Sequence, residues 1–210
     1  MKKNLYLVRH GETLFNQRDL IQGVCNAPLV LEGVAQCLHT RSAYFEKNHI
    51  QYDHVFCSPE GRTIQTTQLI TNMPYVTKID LHEMCFGKLE GCPDYLAGPA
   101  DQFDTYYGTI GGETTAQVQQ RMNHVLFEIM NDPENTNVLV VAHGCANLAF
   151  QRYWSKDSEI KSMPVLNNAS VLHFVFDTEE QTFDLIEEFN EDYETDDFTK
   201  ARTMHQAIIV

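Results

Sequence analysis

Positive charge is scarce in this chain: 15 Lys and Arg stand against 29 Asp and Glu, a formal net charge of −14 over 210 residues. That balance argues against nucleic acid and anionic membrane surfaces as partners. The deficit is uneven, because residues 177–197 hold eleven acidic residues and no basic one. The remainder carries 18 acidic against 15 basic residues, so a pocket that selects an anion is still compatible with the main body. Long apolar runs are missing too, and nothing approaches the ~20 residues of a membrane span. Met1-Lys2-Lys3 leads into only four apolar residues before Arg9, far short of a signal-peptide core. The six cysteines form no Cys-x-x-Cys and no metal-like spacing with histidine, and read as reduced thiols. These absences together give the expectation of a cytoplasmic protein that takes no metal and no cofactor.

What is present fits one α/β domain over residues 1–210, with no linker, no internal repeat and an acidic C-terminal extension from about 190. Leu5-Tyr6-Leu7-Val8 reads as a buried strand ending at Arg9-His10-Gly11-Glu12-Thr13. Residues 14–28 read as a loop, 31–47 as a helix and 53–57 as a second strand. Pro59 then opens a helix over 60–70, and 76–81 reads as a third strand. Residues 87–112 are rich in Gly, Pro, Asp and Tyr and read as a long functional loop with a short helix near 100–107. A helix capped by Thr114 or Thr115 runs to about Met130, Asn137–Ala142 is the most clearly buried strand, and a helix follows over 146–154. Residues 170–177 and 182–188 form a hairpin-like pair of strands. The architecture expected is a three-layer sandwich, a mostly parallel central sheet with helices on both faces.

In such a sheet ligands bind outside the carboxyl ends of the strands. Arg9 and His10 follow the first strand, Arg62 the second, Glu83 the third and His143 the fourth. The topology therefore gathers two Arg, two His and one carboxylate at one edge. Each residue taken alone has an ordinary reading, as a solvated loop charge or a satisfied buried histidine. Together they are the parts that phosphoryl transfer needs: cations for the equatorial oxygens, a nucleophile in line, and a proton donor for the leaving oxygen. His39, His49, His54, His82, His124, His173 and His205 lack this context and read as surface or structural, and Cys145 reads as a buried thiol at a helix start.

The segment Leu7-Val8-Arg9-His10-Gly11-Glu12-Thr13 resembles the signature of the histidine phosphatase superfamily, the phosphoglycerate mutase-like proteins. Four further segments are similar to that family's motifs: 58–66 around Arg62, 81–87 with Glu90-Gly91 around Glu83, 111–114, and 141–144 around His143. A lone Arg-His-Gly is weak, but five motifs in order are specific. The resemblance implies the phosphoglycerate mutase-like fold and a small phosphoester as substrate. It implies His10 as nucleophile, forming a phosphohistidine, with Gly11 or its neighbours orienting the ring. Arg9, Arg62 and His143 would clamp the phosphoryl group, with Asn16 as a further contact. Glu83 would protonate the leaving oxygen and then activate water. Gln22, Gly23 and Gly144 fall in matching segments and complete the expected phosphate-binding set.

Within the family the expectation is a phosphatase. The mutases carry a longer insertion after the acid, with adjacent arginines, whereas no Lys or Arg occurs here between Lys88 and Arg121. They also have a basic–aromatic pair where this chain has Met84-Cys85-Phe86. Phe103, Tyr106 and Tyr107 suit a less charged, partly apolar substrate. Two alternatives stand beside it: a cofactor-dependent phosphoglycerate mutase, and a non-catalytic module that binds phosphorylated ligands. A homodimer is left open. The loop 22–30 departs from the family outline at Val24, Asn26, Ala27 and Val30, and His143-Gly144-Cys145-Ala146 departs from the common His-Gly-Gly or His-Gly-Asn.

Overall fold

The computed structural model describes residues 1–155 and 166–190, so the acidic stretch beyond Asn190 lies outside the described residues. Its centre is a six-stranded sheet in the order β3-β2-β4-β1-β5-β6. The strands are β1 (Lys2–Arg9), β2 (His54–Cys57), β3 (Val76–Thr77), β4 (Asn137–Ala142), β5 (Val171–Asp177) and β6 (Thr182–Phe189). β1 to β4 pair in parallel, and β5 and β6 add an antiparallel pair beside β1. β4 lies between β1 and β2 with five of its six residues buried, which is why it reads as a continuous apolar run rather than an alternation.

Strand periodicity divides the core into two layers. Leu5 and Leu7 of β1, with Val138, Val140 and Ala142 of β4, pack against α5 (Thr115–Asn131) and α6 (Gly144–Trp154). Tyr6 and Val8, with Leu139 and Val141, pack on the other face against Tyr44, Phe45 and Ile70. The first two come from the wider π-helical continuation (Thr40–Glu46) of α2 (Leu31–His39), and Ile70 ends α3 (Gly61–Ile70). α5 is fixed at both ends. A capping box joins Thr114 and Gln117 at its start. The buried Lys3 Nζ donates to the carbonyls of Met130 and Asp132 at 2.8 and 2.6 Å near its end.

Several expected elements are redrawn. The strand expected over 76–81 stops at Thr77, because β2 ends at Cys57 and offers nothing to pair beyond that register. The chain turns instead through a 3-10 turn, Ile79–Leu81, which leaves Ile79 exposed and buries Leu81. The helix expected over 31–47 is α-helical only to His39. The expected loop 14–28 contains a one-turn helix, α1 (Leu14–Gln17), closed by a Thr13–Asn16 capping box. In the long loop, three 3-10 turns lead into α4 (Phe103–Thr109), a few residues later than expected. No helix among the described residues is long and apolar enough to cross a membrane.

Candidate active site

β1, β2 and β4 all end at one edge, and the turns that leave them carry the expected residues. His10, Arg62, Glu83 and His143 are each 4% exposed or less. The imidazoles of His10 and His143 lie edge to face, 5.3 Å between centroids.

Hydrogen-bond chemistry fixes both rings. His10 Nδ1 is 2.8 Å from the Gly11 carbonyl oxygen, which can only accept, so Nδ1 carries the proton and Nε2 keeps its lone pair. Burial, followed by the nearby charge of Arg62, His143 and Arg9, holds His10 well below the usual histidine range, so the ring is neutral near pH 7. The His10 carbonyl accepts from Ala169 N–H and Asn168 Nδ2, which holds the backbone. His143 is fixed the opposite way round. Arg62 Nε, which can only donate, reaches His143 Nδ1 at 3.1 Å, so the ring proton sits on Nε2 and points to Glu60 Oε2 at 3.2 Å. Burial and then Arg62 also hold His143 well below its usual range.

Arg62 is fully buried in the first turn of α3, and its fork is gripped by the loop between α1 and α2. Nη2 donates to the Gly23 carbonyl at 2.7 Å, and Nη1 donates to that of Cys25 at 2.9 Å. Arg9 leaves the end of β1 and donates through Nη1 to the Leu166 carbonyl. Its Nε is buried without a hydrogen-bond partner among the described residues. Gly144 makes room for it, since a Cβ there would stand 3.1 Å from Arg9 Nε.

Glu83 is held by the start of α6. Its carboxylate accepts from Cys145 N–H at 2.9 Å, Ala146 N–H at 2.8 Å and Met84 N–H at 2.8 Å. Two of these are orphan donors of a helix N-terminus, whose dipole favours an anion there. The segment is pinned on both sides of Glu83. Arg121 Nη1 donates to the carbonyls of Asp80 and His82, while Glu113 accepts from Cys85 N–H and from Arg121. Burial alone would raise Glu113, but Arg121 outweighs it and holds the carboxyl below its usual range.

Arg9, Glu83 and Gly144 open onto a cavity of about 760 Å³, which Asn16 and Gln22 also line. Asn16 Oδ1 is taken by Thr13 N–H, and Gln22 Oε1 by the Thr13 hydroxyl. Gln22 Nε2 is buried without a partner among the described residues. Of the expected site residues, His10, Gly11, Gly23, Arg62 and His143 are not lining residues. Gly11 N–H donates to Thr66 Oγ1, and a Cβ at Gly11 would meet the Gly33 carbonyl and Cys37 Sγ. Gly23 instead supports Arg62. Cys145 does line the cavity, and burial and then Glu83 push its thiol far up, so it is no nucleophile. His82 and His173 serve locally: His82 bonds the Glu83 carbonyl, and His173 stacks on Tyr6.

Away from Arg9 and Glu83 the cavity is walled by Leu20, Ile21, Phe103, Leu148 and Leu166, with Asp19, Asp94 and Asp104 around it. One cation joins them. Arg152 comes from α6, two turns beyond Gly144 on the same face as Leu148. The loop between Lys88 and Arg121 carries no Lys or Arg, but a cation reaches the cavity from elsewhere. Spacing at 144, 148 and 152 was the signal that could have found it. Asn168 and the Leu166 carbonyl have no comparable sequence signal, and Glu60, though inside the 58–66 segment, was given no task. Among the described residues, no three His, Cys, Asp or Glu side chains group as metal ligands.

A family model described as the histidine phosphatase superfamily (branch 1) matches residues 5–188. A protein of Yersinia pestis (strain Pestoides F) called "Probable phosphoglycerate mutase GpmB" is 34% identical over 153 residues, covering 68% of this chain and 70% of that one. Among solved structures, a phosphoglycerate mutase from Bacillus anthracis str. Sterne superimposes with a TM-score of 0.77 at 21% identity, covering 96% of this chain and 97% of that one. "Mycobacterial hydrolase 2" does so with a TM-score of 0.77 at 20% identity, covering 97% of each. At such identities the two structures speak for the fold alone.

Proposed function

The chain belongs to the histidine phosphatase superfamily, and from that premise we propose that it is a metal-independent phosphatase acting on a small phosphomonoester through a phosphohistidine on His10. The observation that carries this reading is the state of His10: a neutral, buried ring whose proton is committed to the Gly11 carbonyl, leaving Nε2 as the nucleophilic atom. In the first half-reaction Nε2 bonds to phosphorus while the bond from phosphorus to the leaving oxygen breaks. The leaving alkoxide takes a proton from Glu83. In the second, Glu83 takes a proton from water as the water oxygen attacks phosphorus and the P–N bond breaks. Inorganic phosphate leaves, and His10 is neutral again. Arg9 and Arg62 supply fixed positive charge for the equatorial oxygens, and His143 sets the geometry beside them.

The outer cavity supports a leaving group that is partly apolar and carries no strong negative charge. Three carboxylates against one guanidinium would repel a second phosphate, and five apolar side chains would shelter hydrocarbon. Phosphoglycerate mutase activity is the second reading. One observation favours it: Arg152 reaches the same cavity and could hold a substrate carboxylate. The two are separated by assaying p-nitrophenyl phosphate near pH 6 with chelator, beside His10→Ala and Glu83→Ala, and 3-phosphoglycerate with and without its bisphosphate. Hydrolysis that resists chelator and vanishes in His10→Ala, with no isomerisation, is the expected result. Hydrolysis unchanged in His10→Ala would overturn the mechanism.

A further inference from the structure

Glu90 belongs to one of the motifs described above, yet nothing so far gives it a task. Its carboxylate accepts four backbone N–H bonds. Oε1 takes Phe86 N–H at 2.8 Å and Val24 N–H at 3.2 Å, and Oε2 takes Cys25 N–H at 3.1 Å and Gly23 N–H at 3.2 Å. Three of these donors are consecutive, so residues 23–25 form a nest around an anion that the chain itself provides. Glycine is required at the first position, because a Cβ on Gly23 would collide with Glu90 Oε1 and the Met84 carbonyl.

The other side of the same short loop faces Arg62. The Gly23 carbonyl accepts from Nη2, the Cys25 carbonyl from Nη1, and Asn26 Oδ1 is 3.5 Å from Nη1. N–H groups thus point at a carboxylate and carbonyls at a guanidinium, so each charge orients the loop in the sense the other needs. Arg62 in turn fixes the tautomer of His143. We propose that Glu90 is the positioning residue for Arg62, acting through the backbone of residues 23–25. The proposal rests on the reading of Arg62 as a phosphoryl-binding group and adds the element that sets its direction. Replacing Glu90 with Gln would put an amide NH2 against two backbone N–H donors, turning two bonds into repulsions. The loop would then turn its peptides and release the fork.

A double-mutant cycle with Arg62→Ala tests this, since coupling separates action through Arg62 from a general effect on folding. With p-nitrophenyl phosphate, Glu90→Gln is expected to lower kcat/KM roughly 30-fold in the wild-type background and less than about twofold beside Arg62→Ala. Orthovanadate affinity should show the same pattern. Glu90→Asp keeps the charge one methylene short and should give a smaller loss with the same dependence on Arg62. It serves as the measurement if Glu90→Gln does not fold. Equal losses in both backgrounds would overturn the proposal and leave Glu90 a folding residue. Activity that survives His10→Ala would sink the underlying reading instead, so the two failures are told apart.

Discussion

At the strand edge His143 and Arg62 are 0% exposed, and their nitrogens are held by each other, by Glu60 and by the carbonyls of Gly23 and Cys25. Beside the outer end the 3-10 turn Asp94–Leu96 leaves Tyr95 85% exposed and Leu96 48%, and Asp94 N–H ties it to the Asp19 carbonyl at 2.7 Å. One end is preorganised by the sheet, and the other is a surface loop tied to residues 19–21. Charge that develops in a transition state is stabilised best by dipoles that need not move. Selection among leaving groups needs only shape and coarse charge. Changes to the inner end's fixed cations should therefore slow every substrate alike, loss of its proton donor should weigh most on poor leaving groups, and changes at the outer end should reorder substrates by shape and charge.

The largest effect expected is at Glu83. Glu83→Gln cannot carry the proton and sets an amide NH2 against backbone donors, so kcat should fall about 10²–10³-fold. The loss should be greater for an alkyl phosphate than for p-nitrophenyl phosphate, whose leaving group needs little protonation. Equal losses for the two would argue against a proton donor. Arg121→Ala removes the pins on Asp80 and His82 without touching substrate. It should lower kcat roughly tenfold with KM little changed, and steady-state kinetics would read the split.

A second effect is on stability. His10 and His143 are both held well below the unfolded value of about 6.5. The folded state then binds fewer protons than the unfolded one, so stability is full above about pH 6.5 and falls as pH drops below it. Acidification to pH 5 should therefore destabilise the protein through both buried histidines. Urea unfolding at pH 7 and pH 5 checks this. His10→Gln should lose less on acidification than the wild type, and an identical loss would mean that His10 is not held below its usual range.

The inner end was legible because its information is local. Arg9, His10 and His143 each adjoin a strand whose apolar pattern is its own, and Arg62 opens a helix just beyond one. β3 was drawn too long because its length is set by β2, a partner far along the chain. Glu60 and Asn168 act on atoms that sequence spacing does not bring near them. Glu83 was expected at a strand end, and the structure holds it there by other means. It follows a 3-10 turn rather than a strand, and what holds it is the start of α6. The outer end was less legible because its charge comes from three separate segments, which no window of sequence joins.

Arg152 gives the smallest and most selective prediction. It stands among Asp19, Asp94 and Asp104, so removing it makes the outer cavity still more acidic without touching the phosphate groups. Arg152→Ala should leave kcat/KM for p-nitrophenyl phosphate within about twofold, since a half-exposed cation contributes little to an uncharged ring. For a phosphomonoester with a distal carboxylate the same change should cost about five- to tenfold, through KM rather than kcat, because the contact is equal in ground and transition states. Asp104→Asn should act in the opposite direction on the same pair of substrates. If neither variant alters their ratio, the outer cavity does not touch the leaving group, and selectivity must be sought at the inner end.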